Sequence, residues 1–197
     1  MLAVNPLRFL EPRSPDYPPA LLRGAADWTP PVIHALGKLA LLRQPLTALF
    51  CSTQCPGEVI LRAFDQVAQL RDAGRAVISG FHTPVEKECL AILLRGASPI
   101  VICPARSLDG FRVPADWKEP LGSGRLMVLS CFPNGPRRAT TDTAHRRNEF
   151  VAALATEFLV LHATPGGRLA SLVYGRGVGV HPDGIKNRVG RDAEEED

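Results

Sequence analysis

Several features that would assign this chain quickly are missing from it. No apolar run approaches the roughly 20 residues that a membrane-spanning helix needs, and no charged-then-apolar secretory leader opens it. The first residues, MLAVNPLRFLEP, are broken by proline too early for either, so a cytoplasmic protein with no membrane partner is expected. Cysteine is sparse and odd in number: Cys51, Cys55, Cys89, Cys103 and Cys131. Three of these lie in apolar runs, where a cysteine behaves as a small buried hydrophobe. Cys51-Ser-Thr-Gln-Cys55 has neither the spacing of a redox pair nor a second pair to complete a zinc site, so no metal is expected. The GxGxxG and GKS/T nucleotide fingerprints are absent as well. Ser79-Gly80-Phe81-His82 is not a GxSxG elbow, and no Asp or Glu is evidently placed to orient His82. His34, His145, His162 and His181 show no ligand spacing, and Glu86 and Glu88, two apart on a helix, point to different sides. Catalytic residues and a cofactor are therefore not expected, and His82 reads as a ligand contact rather than a general base.

What is present is arginine. The lysines are only Lys38, Lys87, Lys118 and Lys186 among 23 basic residues. The formal charge of +3 conceals an asymmetry, because Asp192, Glu194, Glu195, Glu196 and Asp197 crowd the carboxyl end; without those five charges it becomes +8. A basic body suits a polyanionic partner.

At 197 residues and 45% hydrophobic content the chain fits one domain with ends to spare. Residues 1–45 are proline-rich and read as an irregular arm lying along the core, with a short strand near Val32. Residues 46–182 alternate strands and helices: strands at Thr47–Cys51, Ala76–Gly80, Pro99–Cys103, Leu126–Phe132 and Phe158–His162, with a sixth at Val178–His181. Helices are expected between Val59 and Leu70, closed by Gly74, from Pro84 to Leu94, and just after Arg146 and Arg147. Alternation with buried apolar strands predicts an α/β fold, a doubly wound, mostly parallel, Rossmann-like sheet. Residues 183–197 read as a polar, acidic, disordered tail.

Ligands of such sheets sit beyond the carboxyl ends of the strands. That places Ser52, Thr53, Ser79, Gly80, Phe81, His82, Gly166 and Gly167 at the expected site. Arg137, Arg138, Arg146, Arg147 and Asn148 load the entry to the helix before the fifth strand. Helix starts hold anions through free N–H groups and the helix dipole, and arginine adds bidentate phosphate recognition. Phe81 and Phe111 are candidates to stack on a base, the alternative being packing, the commoner role of an aromatic after a strand.

These residues carry a likeness. Arg147-Asn148-Glu149-Phe150-Val151-Ala152-Ala153-Leu154 ahead of Phe158-Leu-Val-Leu resembles the RNRIIAxLS helix and following strand of the DNA-processing protein A family (DprA, also called Smf). Ser79-Gly80 with its helix resembles that family's SGxAxGID segment. Gly166-Gly167-Arg168-Leu169-Ala170-Ser171 resembles its SGSLxTA turn, and Tyr17-Pro18 with Pro30-Pro31-Val32-Ile33 resembles its amino-terminal arm. The likeness spans residues 17 to about 181. Phe50-Cys51-Ser52-Thr53 stands where the family has VGSR, without the arginine, and Glu149 replaces the second arginine of RNR. The resemblance implies a Rossmann-like domain that binds single-stranded DNA without catalysis, often as a homodimer, with a recombinase as partner, and it adds Arg168 to the candidate residues. Thr164-Pro165-Gly166-Gly167 also resembles the PGGxGTxxE motif of the LOG-type nucleotide phosphoribohydrolases, which implies a small nucleotide as the alternative ligand. That motif's Gly-Thr is replaced by Leu169-Ala170, and no glutamate follows within the next turn.

Overall fold

The computed structural model describes residues 6–22, 29–176 and 186–188. The expected strand at Val178–His181 and most of residues 183–197 fall outside that range. The described chain forms β1 (Arg8–Leu10), α1 (Pro19–Leu22), β2 (Ile33–Gly37), β3 (Leu46–Cys51), α2 (Gly57–Asp72), β4 (Ala76–Ser79), α3 (Pro84–Leu94) and β5 (Ile100–Ile102). It continues with α4 (Lys118–Gly122), β6 (Leu126–Ser130), α5 (Thr141–Leu154), β7 (Glu157–His162), α6 (Arg168–Tyr174) and β8 (Lys186–Arg188). The strands make one sheet in the order β1-β2-β6-β5-β4-β3-β7-β8.

The five central strands, β6-β5-β4-β3-β7, pair in parallel, and β1, β2 and β8 join antiparallel at the two edges. From β3 the chain steps outward through β4 and β5 to β6. It then crosses the sheet as α5 and lays β7 on the other side of β3. That reversal makes the gap between β3 and β7 the topological switch point, where doubly wound sheets form their ligand crevice.

Two cores follow from strand alternation. Ala48, Phe50, Ile78, Val101, Met127, Leu129, Phe158 and Val160 face one side, against Phe150, Val151 and Leu154 of α5. Leu49, Val77, Ile100, Ile102, Leu126, Leu159 and Leu161 face the other, against Ala63, Val67 and Leu70 of α2 and Cys89 and Leu93 of α3. Strands clothed on both faces need apolar residues at every position, which is why they read as continuous runs.

The amino-terminal segment is more regular than its prolines suggest. The short strand expected near Val32 is β2, which is buried at all five residues and pairs with β6 as a full member of the sheet. The chain enters it just after Pro30-Pro31. Tyr17 anchors the preceding turn by donating its hydroxyl hydrogen to the Pro30 carbonyl at 2.7 Å, and burial pushes its phenol up to about 12. His34 on β2 is buried, meets the Phe9 ring edge-on at 4.6 Å, and keeps Nδ1 3.9 Å from the Asp109 carboxylate. Burial lowers the pKa of its imidazole, with Asp109 opposing the shift. No helix among the described residues is long and apolar enough to cross a membrane.

Candidate functional site

The carboxyl ends of β3, β4, β5 and β7 converge, and two buried charged side chains hold them. Glu86, in the first turn of α3, is 4% exposed. Its Oε1 accepts the Cys51 backbone N–H at 3.0 Å, and its Oε2 accepts those of His82 at 2.9 Å and Thr83 at 3.3 Å. One carboxylate thus joins the end of β3 to the turn after β4. The pattern behind it is Thr83-Pro84-Val85-Glu86: Thr83 Oγ1 accepts the Glu86 N–H while Glu86 reaches back, a capping box with proline at the first helical position. Excluding a Glu86–Glu88 carboxylate pair leaves this role unseen, although the Thr83-to-Glu86 spacing signals the capping box.

Arg147 is the second. It too is 4% exposed, and it arrives from α5 on the opposite face of the sheet. Its Nη1 donates to the Cys103 carbonyl at the end of β5 at 3.2 Å, and its Nε donates to Asn148 Oδ1 at 2.8 Å. The guanidinium lies directly on Gly80; a Cβ there would fall 1.1 Å from Nη1. Gly80 is therefore needed for this close approach. Burial lowers the proton affinity of Arg147, and the charge of Glu86 is the largest influence opposing it.

The expected helix entry needs correction. α5 begins at Thr141, not after Arg147. Thr140 Oγ1 accepts the Thr143 N–H at 3.2 Å and Thr143 Oγ1 accepts the Thr140 N–H at 2.9 Å, so the hydroxyl-rich loop is itself a capping box and first turn. Arg146, Arg147 and Asn148 consequently stand inside the helix. Arg146 is exposed, Arg147 is buried and Asn148 is half-buried.

The switch point is stitched by Ser52. Its N–H donates to the His162 carbonyl at 2.8 Å and its Oγ accepts the Thr164 N–H at 3.0 Å, joining the turns after β3 and β7. Thr53 and His82 are exposed, whereas Ser79 is fully buried and accepts the Phe81 N–H. Phe81 is 5% exposed and adopts φ 47°. A buried ring offers no face to a base, so the stacking expected of Phe81 is not available; the residue is a core contact held in a strained backbone.

A cleft of about 770 Å³ opens beside these ends, between the loop after β6, the first turns of α5 and the start of α6. Arg146 and Arg168 line it together with Asp142, Thr143, His145 and Gly166. Gly166 turns the chain at φ 71°, and Gly167 precedes α6. Arg168 donates to Asp142 Oδ1 at 2.9 Å, an exposed pair bridging α6 to α5. His145 Nε2 lies 3.3 Å from Glu149 one helical turn on. Arg137 and Arg138 are exposed on the loop that leads into α5. Of the residues expected at the site, the cleft collects Arg146, Gly166 and Arg168. Ser52, Thr53, Ser79, Gly80, Phe81, His82 and Arg147 belong to the neighbouring strand ends.

All five cysteines are free, and burial pushes the Cys89 and Cys103 thiols up to about 12, which makes them inert packing groups. Among the described residues no three His, Cys, Asp or Glu side chains are grouped to hold a metal ion.

No curated protein sequence matches the chain closely enough to count as a relative. Solved structures do. DNA processing protein A from Streptococcus pneumoniae superposes with a TM-score of 0.68 at 18% identity, over 86% of this chain and 59% of that one. The chain therefore spans less than two thirds of that protein. DNA processing protein A from Helicobacter pylori, a protein described for its single-stranded DNA binding mode, superposes with a TM-score of 0.64 at 17% identity, over 86% of this chain and 75% of that one. At such identities the likeness establishes the fold. The sequence profile of DNA recombination-mediator protein A matches residues 8–189, nearly the whole chain, and the chain belongs to that family.

Proposed function

We infer that the chain binds single-stranded DNA along the carboxyl rim of its parallel sheet, without chemical conversion of it. The observation that carries this reading is the cleft lined by Arg146 of α5 and Arg168 of α6, with Arg137 and Arg138 exposed on the loop that runs on from its lining residues Gly135 and Pro136. Guanidinium groups that line one cleft match a phosphate backbone running along it. The Arg168–Asp142 pair is solvent-exposed and so costs little to open when a phosphate competes for the arginine. Ser52, Thr53, His82 and Gly167 extend the rim as polar contacts. Arg147 supports it from below, and the arginine that the chain lacks beside Thr53 leaves the helix and loop arginines to supply the charge.

Fluorescence anisotropy with an oligo-dT probe at two salt concentrations tests the reading. Affinity is expected to fall steeply with salt, by about 0.7 in logarithmic slope per phosphate neutralised. Arg146→Ala/Arg168→Ala should lower both the affinity and that slope. No binding at low salt, or an unchanged slope in the variant, refutes the reading. One observation favours a small nucleotide instead: His145 lines the cleft and its Nε2 lies 3.3 Å from Glu149, a pair able to activate a water. That alternative predicts thermal stabilisation by a mononucleotide and, if the pair acts, release of free base.

A further inference from the structure

The arginine cleft lacks an open aromatic face. Its own aromatic is Phe132, 7% exposed, and Phe81 nearby is 5% exposed. Binding of single strands needs more than charge, because bases gain most by stacking on π-surfaces while arginines hold the backbone.

The long connection between β5 and β6 supplies such a surface. Phe111 and Trp117 are both half-buried and stack at 6.2 Å between centroids with 29° between planes. The Arg106 guanidinium sits 5.1 Å from the Phe111 ring centre, within cation–π range, and Arg112 beside them is exposed. Both residues pack on the core shared with α2 and α3. The turn that presents them is held in place. Ser130 Oγ donates to the Arg106 carbonyl at 2.7 Å, Ser107 Oγ donates to Asp109 Oδ2 at 2.7 Å, and the Phe111 N–H donates to the Leu108 carbonyl at 3.0 Å.

The turn that carries the ledge is tied to the loop that lines the cleft. The Ser107 N–H donates to the Pro136 carbonyl at 3.3 Å, and Ser107 Oγ lies 3.4 Å from the Pro133 carbonyl. Gly135 and Pro136 of that same loop line the cleft, and Arg137 and Arg138 follow directly. The loop that lines the cleft is thus bonded to Ser107, in the turn between Arg106 and Phe111. We propose that Arg106, Phe111 and Trp117 form a base-stacking subsite that receives one or more nucleobases of a single strand whose phosphates lie in the cleft. The proposal rests on the nucleic-acid reading above and adds to it the place where bases, rather than phosphates, are held. Asp109, the carboxylate of this turn, is committed to Ser107 and lies toward His34.

The test uses the chain carrying Trp28→Phe, so that Trp117 is the sole tryptophan, with oligo-dT and an abasic oligomer of equal length. Oligo-dT should quench Trp117 emission and the abasic oligomer should leave it unchanged. Phe111→Leu keeps the apolar packing and removes the π-face; it should weaken oligo-dT roughly tenfold and leave the abasic affinity as it was. Retained abasic binding also shows that the variant is folded. Oligo-dT bound with unchanged Trp117 emission and with equal affinity for Phe111→Leu overturns the subsite alone. Failure of both oligomers to bind overturns the nucleic-acid reading and the subsite with it.

Discussion

Arg147 and Glu86 come from helices on opposite faces of the sheet and are each 4% exposed, so their energetic dependence on one another can be measured. Arg147→Met keeps most of the side-chain length and removes the charge. It strips the Cys103 carbonyl of its donor and leaves the Glu86 carboxylate without the buried cation whose field it feels. Removing one member of a buried ionic pair costs about 3–5 kcal/mol. The lower end, about 3 kcal/mol, applies here because the two charges influence each other without a direct ion pair. Glu86→Gln keeps shape but turns one oxygen into an NH₂ group that faces a backbone N–H. With three backbone donors at stake and charge-assisted bonds worth about 1.5–3 kcal/mol each, a loss near 3 kcal/mol follows. If the charges support each other, the double variant loses about 4 kcal/mol rather than the sum, a coupling of about 2 kcal/mol. Urea unfolding of the four proteins reads this from midpoints at constant m. In melting temperature each single variant should fall by roughly 6–12 °C for a chain of this size. A coupling within about 0.5 kcal/mol of zero refutes the idea that the two side chains act as one brace.

Two further outcomes follow from other contacts. Gly80→Ala places a methyl group into the Arg147 guanidinium and should cost about 2 kcal/mol in the parent chain; in an Arg147→Ala background the same change should be close to neutral by urea unfolding. His34 has its folded-state pKa lowered from 6.5 by burial, so the unfolded chain binds the extra proton more readily and stability falls as pH drops below that value. Melting temperatures at pH 7.5 and 5.5 should therefore diverge in the parent and converge in His34→Gln; an equal pH dependence in both refutes the assignment.

The parallel core was legible because its strands are apolar throughout and its helices carry clear stops. α3 runs from Pro84 to Leu94 as its proline and Gly96 suggest, and α2 ends before Gly74, which takes φ 63°. The edge strands were harder. β1 is three residues long and β2 follows two prolines, so neither offers an alternating pattern of useful length. The start of α5 was misplaced because Thr140, Thr141, Asp142 and Thr143 look like loop residues by composition, while as a group they cap and begin a helix. That shift of about two turns placed Arg147 inside the helix and facing inward, which periodicity alone cannot reveal for a residue type almost always exposed. Phe81 kept two readings, stacking and packing, for the reverse reason: an aromatic beside a strand end says nothing of which way it points, and its burial decides for packing.

The register of β3 against β7 sets a timetable for the nascent chain. Thr47 and Glu157, partners across that seam, are separated by 110 residues. At ribosomal rates of about 5–20 residues per second, the edge of β3 waits roughly 5–20 s for its second neighbour. During that interval a strand with all six residues destined for burial presents an open hydrogen-bonding edge. The turns joined by Ser52 and Thr164 do not yet exist as a pair, so no ligand of the finished crevice can assist the early steps of folding.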